Sequence, residues 1–182
     1  MKLNVVFAAI LLLAPAWTSA EIEKVAIPGS KELKLLWWPK ASLPPGWHSD
    51  RGSSEFFGFN AMAPDGSTFS KAETVMYAKA DFKPRVPKFK NLASLISHDI
   101  ADFEGAVPGT VAKKLADLHD GDGKPFQVVS FTPGKDGNWE RVAYGEEGEF
   151  YLVFTLSSRS KAGHDASIAA FTKLVAGYRE RP

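Results

Sequence analysis

The sequence predicts an α+β fold in which a mainly antiparallel sheet is flanked by helices, as an α-β-α sandwich. Short apolar segments joined by hairpin-length, glycine-containing turns indicate antiparallel strands. Two longer segments carry apolar residues at helical spacing. The predicted order is strands, a helix, more strands and a C-terminal helix, which is typical of helices packed as layers against a sheet.

Residues 1–20 have the parts of a secretory signal peptide. Lys2 provides a positive start, Val5–Ala14 is an unbroken apolar run, and small residues up to Ala20 suit a signal peptidase. The run has about half of the ~20 residues that a membrane-spanning helix needs. We expect cleavage after Ala20 and a periplasmic or secreted chain. No second long apolar run follows, so we expect no transmembrane segment in the mature chain.

Composition limits the classes of function. Residues 21–182 are enough for one domain with a real core. They hold 21 basic and 21 acidic residues, because the signal contains one of the 22 basic and none of the 21 acidic residues. This balance predicts no nucleic-acid partner. The absence of cysteine excludes disulfides, thiolate metal sites and an acylated N-terminal cysteine. We expect an N-terminal arm or strand over residues 21–43 and a single α+β domain over residues 44–182.

The strands expected before residue 81 are short apolar runs bounded by proline or glycine turns. They are Ile22–Pro28 (a strand or an arm), Leu33–Trp38 (a strand or a short helical segment), a strand opened by Trp47, Phe56–Ala63, and Thr74–Ala80. Phe56–Ala63 is apolar on both faces, which predicts a strand covered on both sides.

The clearest predicted helix runs from Asn91 to Phe103. Its apolar residues fall on one stripe, at Leu92, Leu95, Ile96, Ile100 and Phe103. Asn91 is a suitable N-cap, and Gly105 is expected to end the helix.

A second group of strands and a final helix follow. The strands are expected at Val111–Leu118, Phe126–Thr132, Trp139–Tyr144 and Phe150–Leu156. The final helix is expected from about Asp165, its predicted N-cap, to Tyr178. Its buried face is predicted to comprise Ile168, Phe171, Leu174, Val175 and Tyr178.

A Pro-Pro-Gly-Trp segment at residues 44–47 leads into the sheet, and Phe171-x-x-Leu174-Val175-x-x-Tyr178 forms the closing helix. With the mid-chain helix and the late hairpin, this order resembles the PsbP-like fold group over about residues 44–179. That group includes the extrinsic lumenal subunits of photosystem II and exported bacterial relatives. The resemblance implies an α-β-α arrangement and a non-enzymatic accessory role, and no family motif here identifies functional residues.

One candidate metal site is the acidic turn that contains His119, Asp120 and Asp122. An imidazole and carboxylates in a turn can hold a divalent cation, and Asp117 is a possible fourth ligand. The segment is not an EF-hand loop, because that loop needs glycine and glutamate at its sixth and twelfth positions. The alternative is a polar hairpin turn, for which Asp-Gly is favourable by itself.

The tryptophans form a candidate partner-binding surface. Trp37, Trp38 and Trp47 adjoin proline-containing segments, and exposed aromatic residues are favoured at contacts with sugars, peptides or proteins. The alternative is that these rings fill the core or cover the sheet edge.

No catalytic constellation is evident. Ser158-x-x-Lys161 lacks the partner motifs of serine acyltransfer enzymes, and Trp47-His48-Ser49-Asp50 places neighbours on opposite faces of a strand edge. His98-Asp99 lies off the apolar stripe and is expected to face solvent. No motif for a cofactor is present, so none is expected.

The leading hypothesis is therefore an exported, soluble, non-enzymatic binding or accessory protein of the cell envelope, with a protein or small-molecule partner. One alternative is a metal-dependent exported hydrolase that uses the acidic turn. The other is a small-ligand carrier with a pocket between sheet and helix.

Overall fold

The computed structural model describes residues 22–28 and 33–179, so the predicted signal peptide lies outside the described residues. The strands are β1 (Ile22–Pro28), β2 (Leu33–Pro39), β3 (Trp47–Ser49), β4 (Asn60–Pro64), β5 (Thr74–Phe82), β6 (Val111–Lys114), β7 (Leu118–His119), β8 (Pro125–Thr132), β9 (Trp139–Glu147) and β10 (Phe150–Ser158). The α-helices are α1 (Arg51–Phe57), α2 (Leu92–Ala106) and α3 (Lys161–Ala176). A 3-10 turn spans Lys83–Arg85.

Eight strands form one antiparallel sheet. Its order is β3-β4-β5-β10-β9-β8-β6, and the short strand β7 pairs with the other end of β8. The long strands β5, β10 and β9 lie side by side, with Thr155 of β10 opposite Tyr77 on one side and Val142 on the other. The class predicted from the hairpin turns, a mainly antiparallel α+β sheet flanked by helices, is confirmed.

The two faces of the sheet carry separate cores, because successive strand residues point to opposite faces. On one face, the α3 face, fully buried Phe171, Leu174 and Val175 of α3 pack against residues such as Met76 and Phe154. On the other, the α2 face, the α2 stripe packs against residues that include Phe131, Val142, Tyr144, Tyr151 and Val153. The predicted apolar stripes of both helices are confirmed. No helix among residues 22–28 and 33–179 combines the length and apolarity needed to cross a membrane.

The N-terminal strands form a two-stranded antiparallel hairpin, in which Val25 pairs with Leu36. This hairpin packs against β5 of the main sheet. Trp37 of β2 contacts the rings of Phe82 and Phe150 at centroid distances of 5.3 and 5.9 Å. The prediction of strands at both segments is confirmed.

The expectation of one strand over Phe56–Ala63 is wrong in its first half. Phe56 and Phe57 end helix α1, and the strand begins at Asn60. Asp50 caps the helix by accepting the backbone N–H of Ser53 at 2.9 Å, and Gly58 ends it with a positive φ of 83°. Glycine adopts that conformation without steric cost, so the chain can reverse there into β4.

Three predicted boundaries also differ. Gly105 lies inside α2, which ends at Ala106. The next residue, Val107, has an extended backbone and precedes a proline. The segment predicted as one strand over Val111–Leu118 is divided into β6 and β7. Helix α3 begins four residues earlier than Asp165, because the side chain of Ser160 accepts the N–H of Gly163 and caps it.

Candidate functional site

Helix α2 covers only part of its face of the sheet. Beside the covered part lies a groove of about 340 Å³, bordered by β5, β10, the start of β9, α1 and the loop that precedes β5. We call this depression the α2-face groove, and its lining includes Phe57, Phe59, Phe69, Tyr77, Glu140 and Ser157. Two neighbouring depressions of about 330 and 250 Å³ share lining residues with it. The open part of the sheet face is therefore continuous along the flank of α2.

A chain of hydrogen bonds forms the polar floor of the α2-face groove. The amide of Asn138 donates to Oγ of Ser157 at 3.0 Å. The Ser157 hydroxyl donates in turn to Oε1 of Glu140 at 2.9 Å. The other carboxyl oxygen, Oε2, is buried and has no hydrogen-bond partner among the described residues. This series of hydrogen bonds therefore orients the Glu140 carboxyl and leaves one of its oxygens without a hydrogen bond.

The environment of Glu140 favours its neutral form. The side chain is only 9% exposed, and burial raises the pKa of its carboxyl to about 7, which the hydrogen bond from Ser157 partly opposes. No ion pair to Glu140 forms within the described part of the chain, so no cation offsets the burial. The carboxyl therefore changes charge near neutral pH, which is characteristic of functional sites as well as of buried structural acids.

A second carboxyl lines the neighbouring depression of about 330 Å³, which shares Tyr77 with the groove. Asp99 of α2 is half-buried, and this burial raises its pKa although Lys79 is near. The expectation that Asp99 faces solvent is therefore wrong. Burial also raises the pKa of Tyr77, and the carboxylates of Glu140 and Asp99 raise it further. The Tyr77 hydroxyl therefore lies within the electrostatic influence of both acids.

Four aromatic rings line one side of the groove, and we call them the aromatic wall: Phe57, Phe59, Phe69 and Tyr77. Phe59 stacks on Phe57 with a centroid distance of 5.6 Å and on Tyr77 at 4.6 Å. Phe69 is tilted against Phe57, at 5.5 Å. Phe57 is 47% exposed, so the wall extends from the floor of the groove to solvent.

Asp50 holds two segments of the aromatic wall together. Its Oδ1 caps α1, which carries Phe57, and its Oδ2 accepts the backbone N–H of Phe69 at 2.9 Å. These two backbone hydrogen bonds lower the pKa of the Asp50 carboxyl. One carboxylate therefore positions two rings that are 12 residues apart in the chain.

The structure does not bring the predicted metal ligands together. Oδ1 of Asp120 accepts the N–H groups of Asp122 and Lys124 at 2.9 and 2.8 Å, as in a polar turn. The carboxylate of Asp122 pairs with the guanidinium of Arg179 at 3.1 Å, and His119 is exposed. Within residues 22–28 and 33–179, no group of three metal-ligating side chains is close enough to hold an ion. The geometry is that of the alternative weighed for this segment, a hairpin turn.

The three tryptophans do not form an exposed platform. Trp38 is 2% exposed, with Arg51 over its ring at 4.9 Å. Trp37 and Trp47 are half-buried and pack against the core on the α3 face. The rings therefore cover the core, which was the alternative to a partner-binding surface.

Sequence reasoning did not identify Glu140. A signal was present, since Glu140 shares one face of β9 with the apolar residues Val142 and Tyr144. A carboxyl in register with buried positions is uncommon and indicates either an ion pair or a functional group. Phe57 and Phe69 carried no such signal, because an aromatic residue beside a turn fits a core as well as a groove.

Comparison with known proteins yields similarities of fold alone. No family model and no curated protein matches the sequence. A Pseudomonas aeruginosa protein of unknown function, PA94, described as a candidate regulator, is 13% identical with a TM-score of 0.50. The match covers 87% of this chain and 98% of that one.

A second similar structure is cyanobacterial PsbP from Synechocystis sp. PCC 6803. It is 12% identical with a TM-score of 0.47, and the match covers 94% of this chain and 99% of that one. A PsbP is thus among the solved structures that resemble this chain, and it belongs to the group that the element order indicated. At these identities the likeness says nothing about function.

Proposed function

We propose that this chain is an exported, non-enzymatic binding protein that holds a small amphipathic ligand in the α2-face groove. Export rests on the signal-peptide pattern of residues 1–20. Of the functions expected from the sequence, the ligand carrier with a pocket between sheet and helix has the most support from the geometry. The metal-dependent hydrolase has none, since its three proposed ligands do not form a group that could hold an ion.

The observation that carries the proposal is the buried, unpartnered Oε2 of Glu140, a residue that lines the same groove as the aromatic wall. A buried polar group without a partner costs about 1–3 kcal/mol, and more when it is charged. Native proteins retain few such groups, and each calls for an explanation. A ligand that donates a hydrogen bond to Oε2 would recover this free energy.

The dimensions and lining of the groove suit a small molecule. Ligand sites typically enclose about 300–1,000 Å³ and combine apolar walls with a few convergent polar groups. The α2-face groove has a volume of about 340 Å³, aromatic rings on one side and the Asn138–Ser157–Glu140 chain on its floor. The ligand is therefore expected to have an apolar part against the rings and a hydrogen-bond donor toward Glu140.

A ligand screen by thermal denaturation tests the proposal, because a ligand that binds only the folded state raises the melting temperature by mass action. Phe57→Ala and Phe56→Ala are a matched pair of neighbours on α1. Phe57 lines the groove, whereas Phe56 is 83% exposed and does not. We expect a stabilising ligand whose effect is lost in F57A and kept in F56A. If no compound stabilises the protein, or if F57A responds like the parent, the proposal is wrong.

A further inference from the structure

We infer that the ligand of the α2-face groove is an amine, whose cationic nitrogen lies between the Glu140 carboxylate and the aromatic wall. This inference rests on the proposed function and adds the chemical class of the ligand. Three features support it: the charges that line the groove, the unpartnered oxygen of Glu140, and the aromatic rings that line the same groove.

Carboxylates outnumber cations around the groove and the depression that adjoins it at Tyr77. The acidic residues are Glu73, Asp99, Asp102 and Glu140, and the basic ones are Lys79 and Arg159. Both basic groups are already engaged. Lys79 pairs with Asp81 at 3.0 Å, and Arg159 donates to the backbone carbonyls of Lys71 and Ala72 at 3.0 Å. Arg159 keeps its charge, and Asp102 pairs with His98 at 3.0 Å, but four carboxyl groups against two basic groups still favour a cationic ligand over an anionic one.

Glu140 provides an unsatisfied acceptor at the floor. Its Oε1 is occupied by Ser157, and its Oε2 has no partner among the residues the structure describes. A side chain that is more than nine-tenths buried cannot recover this hydrogen bond from bulk water. An ammonium group supplies both a donor and the positive charge that an ionised, buried carboxyl lacks.

The aromatic wall provides the second half of a cation site. The faces of aromatic rings attract cations, and quaternary ammonium ligands are commonly bound by a cage of several aromatic rings. Phe59, Phe69 and Tyr77 line the same groove as Glu140. The carbon skeleton of an aromatic or aliphatic amine would pack on these rings while its nitrogen reaches Oε2.

The inference predicts a direction for the pH dependence of binding. Tyr77 from β5 and Ser157 from β10 face Glu140, the Asp99 carboxyl lies beyond Tyr77, and Glu73 and Arg159 lie at the rim. An ammonium group binds the ionised form of Glu140, whose pKa is about 7 in the empty groove. Affinity should therefore rise about tenfold from pH 6 to pH 8. A ligand that accepts a hydrogen bond from neutral Glu140 would show the opposite trend.

Three indoles of nearly equal size and different charge test the inference: tryptamine, tryptophol and indole-3-propionate. Each is titrated into the ¹⁵N-labelled protein at pH 6 and pH 8, with the amide resonances of the groove residues followed by NMR. At pH 8 we expect tryptamine to bind at least about tenfold more tightly than the other two. Glu140→Gln should reduce this preference to within about twofold. Glu104→Gln makes the same change of charge on an exposed residue of α2 that does not line the groove, so it should preserve the preference.

Ser157→Ala is the second variant, since it retains the carboxyl and removes its internal donor. Because the hydrogen bond from Ser157 lowers the pKa of Glu140, this variant should move the rise in tryptamine affinity to higher pH, so a folding defect in E140Q would not leave the inference undecided. If tryptophol or indole-3-propionate binds the groove as tightly as tryptamine, or if binding weakens from pH 6 to pH 8, the amine inference is wrong and the binding function stands. If no probe perturbs the groove and the thermal screen also finds no ligand, both are wrong.

Discussion

The hydroxyl of Ser157 donates to Oε1 of Glu140 at 2.9 Å, while Oε2 of the same carboxyl is buried without a partner. Ser157 and Glu140 lie directly opposite each other on the paired strands β10 and β9. The pairing of two strands therefore places the Glu140 carboxyl on the floor of the α2-face groove. It provides a hydrogen bond to only one of the two carboxyl oxygens. The pH dependence of stability follows from this arrangement.

Glu140→Gln should remove a loss of stability at high pH. Burial raises the pKa of Glu140 from 4.5 to about 7, so the folded state holds its proton more tightly than the unfolded state. The stabilisation is complete below pH 4.5 and is lost as the pH rises to about 7. The difference amounts to at most about 3 kcal/mol. Urea denaturation of parent and variant from pH 4.5 to pH 8 measures it.

Glu73→Gln is the control for this pH series. Glu73 is exposed at the rim of the groove, so its variant should follow the parent at every pH. Comparison of each variant with the parent at the same pH cancels the contributions of all other titratable groups. A parallel pair of curves for E140Q and the parent would contradict the raised pKa of Glu140.

Asp50→Ala should destabilise the protein and weaken ligand binding in the groove. It removes the cap of α1, which costs about 0.5–2 kcal/mol, and the hydrogen bond to Phe69, which costs about 0.5–1.5 kcal/mol. Asp50→Asn keeps one acceptor oxygen for the cap and should lose only the second contribution. Urea denaturation of both variants compares their free energies of unfolding. Equal losses of stability in D50A and D50N would contradict the separate contributions of the cap and of the hydrogen bond to Phe69.

Gly145→Ala should destabilise the protein by about 1–3 kcal/mol through overpacking. A Cβ at this position would lie 2.5 Å from the ring of Phe126, which is 2% exposed and cannot move aside. Gly105→Ala is the contrasting substitution, since its Cβ meets nothing within 4 Å inside α2. It should stabilise the protein by about 0.5–1 kcal/mol. Thermal denaturation of the pair measures both signs.

Ser160→Ala should reduce stability by about 1 kcal/mol, because Ser160 caps helix α3 by accepting the N–H of Gly163 at 3.0 Å. Asp165→Ala should cost less. Asp165 lies within the helix, where its exposed carboxylate pairs with Lys161. Urea denaturation compares the two variants, and a larger loss for D165A would favour the N-cap that the sequence suggested.

Patterns of neighbouring residues in the sequence predicted the helices and hairpins that such residues specify by themselves. The stripe that includes Leu95 and Ile96 identified α2, and the Glu146-Glu147-Gly148 turn identified the β9–β10 hairpin. Helix α1 was not predicted, since its seven residues have no amphipathic repeat. It depends on the Asp50 cap and on the Ser54 hydroxyl, which accepts the N–H of Ala61 at 2.9 Å.

The α2-face groove could not be predicted in this way. Glu140 is buried by residues of β5 and β10 that are distant in the chain, and its pKa depends on that burial. The predicted metal ligands are close in sequence, at His119, Asp120 and Asp122. The carboxylate of Asp120 instead accepts a backbone N–H of the turn, and that of Asp122 forms an ion pair with Arg179. Proximity in sequence did not produce a shared site, because backbone geometry directs neighbouring side chains apart.

The sequence by itself determined the α+β class, the antiparallel hairpins and the apolar faces of two helices, because each of these depends on the spacing of neighbouring residues. Only the tertiary structure decided where the sheet remains uncovered. Asp50 places Phe57 and Phe69 on one side of that opening, and strand pairing places Glu140 on its floor. The α2-face groove lies where α2 leaves its face of the sheet uncovered.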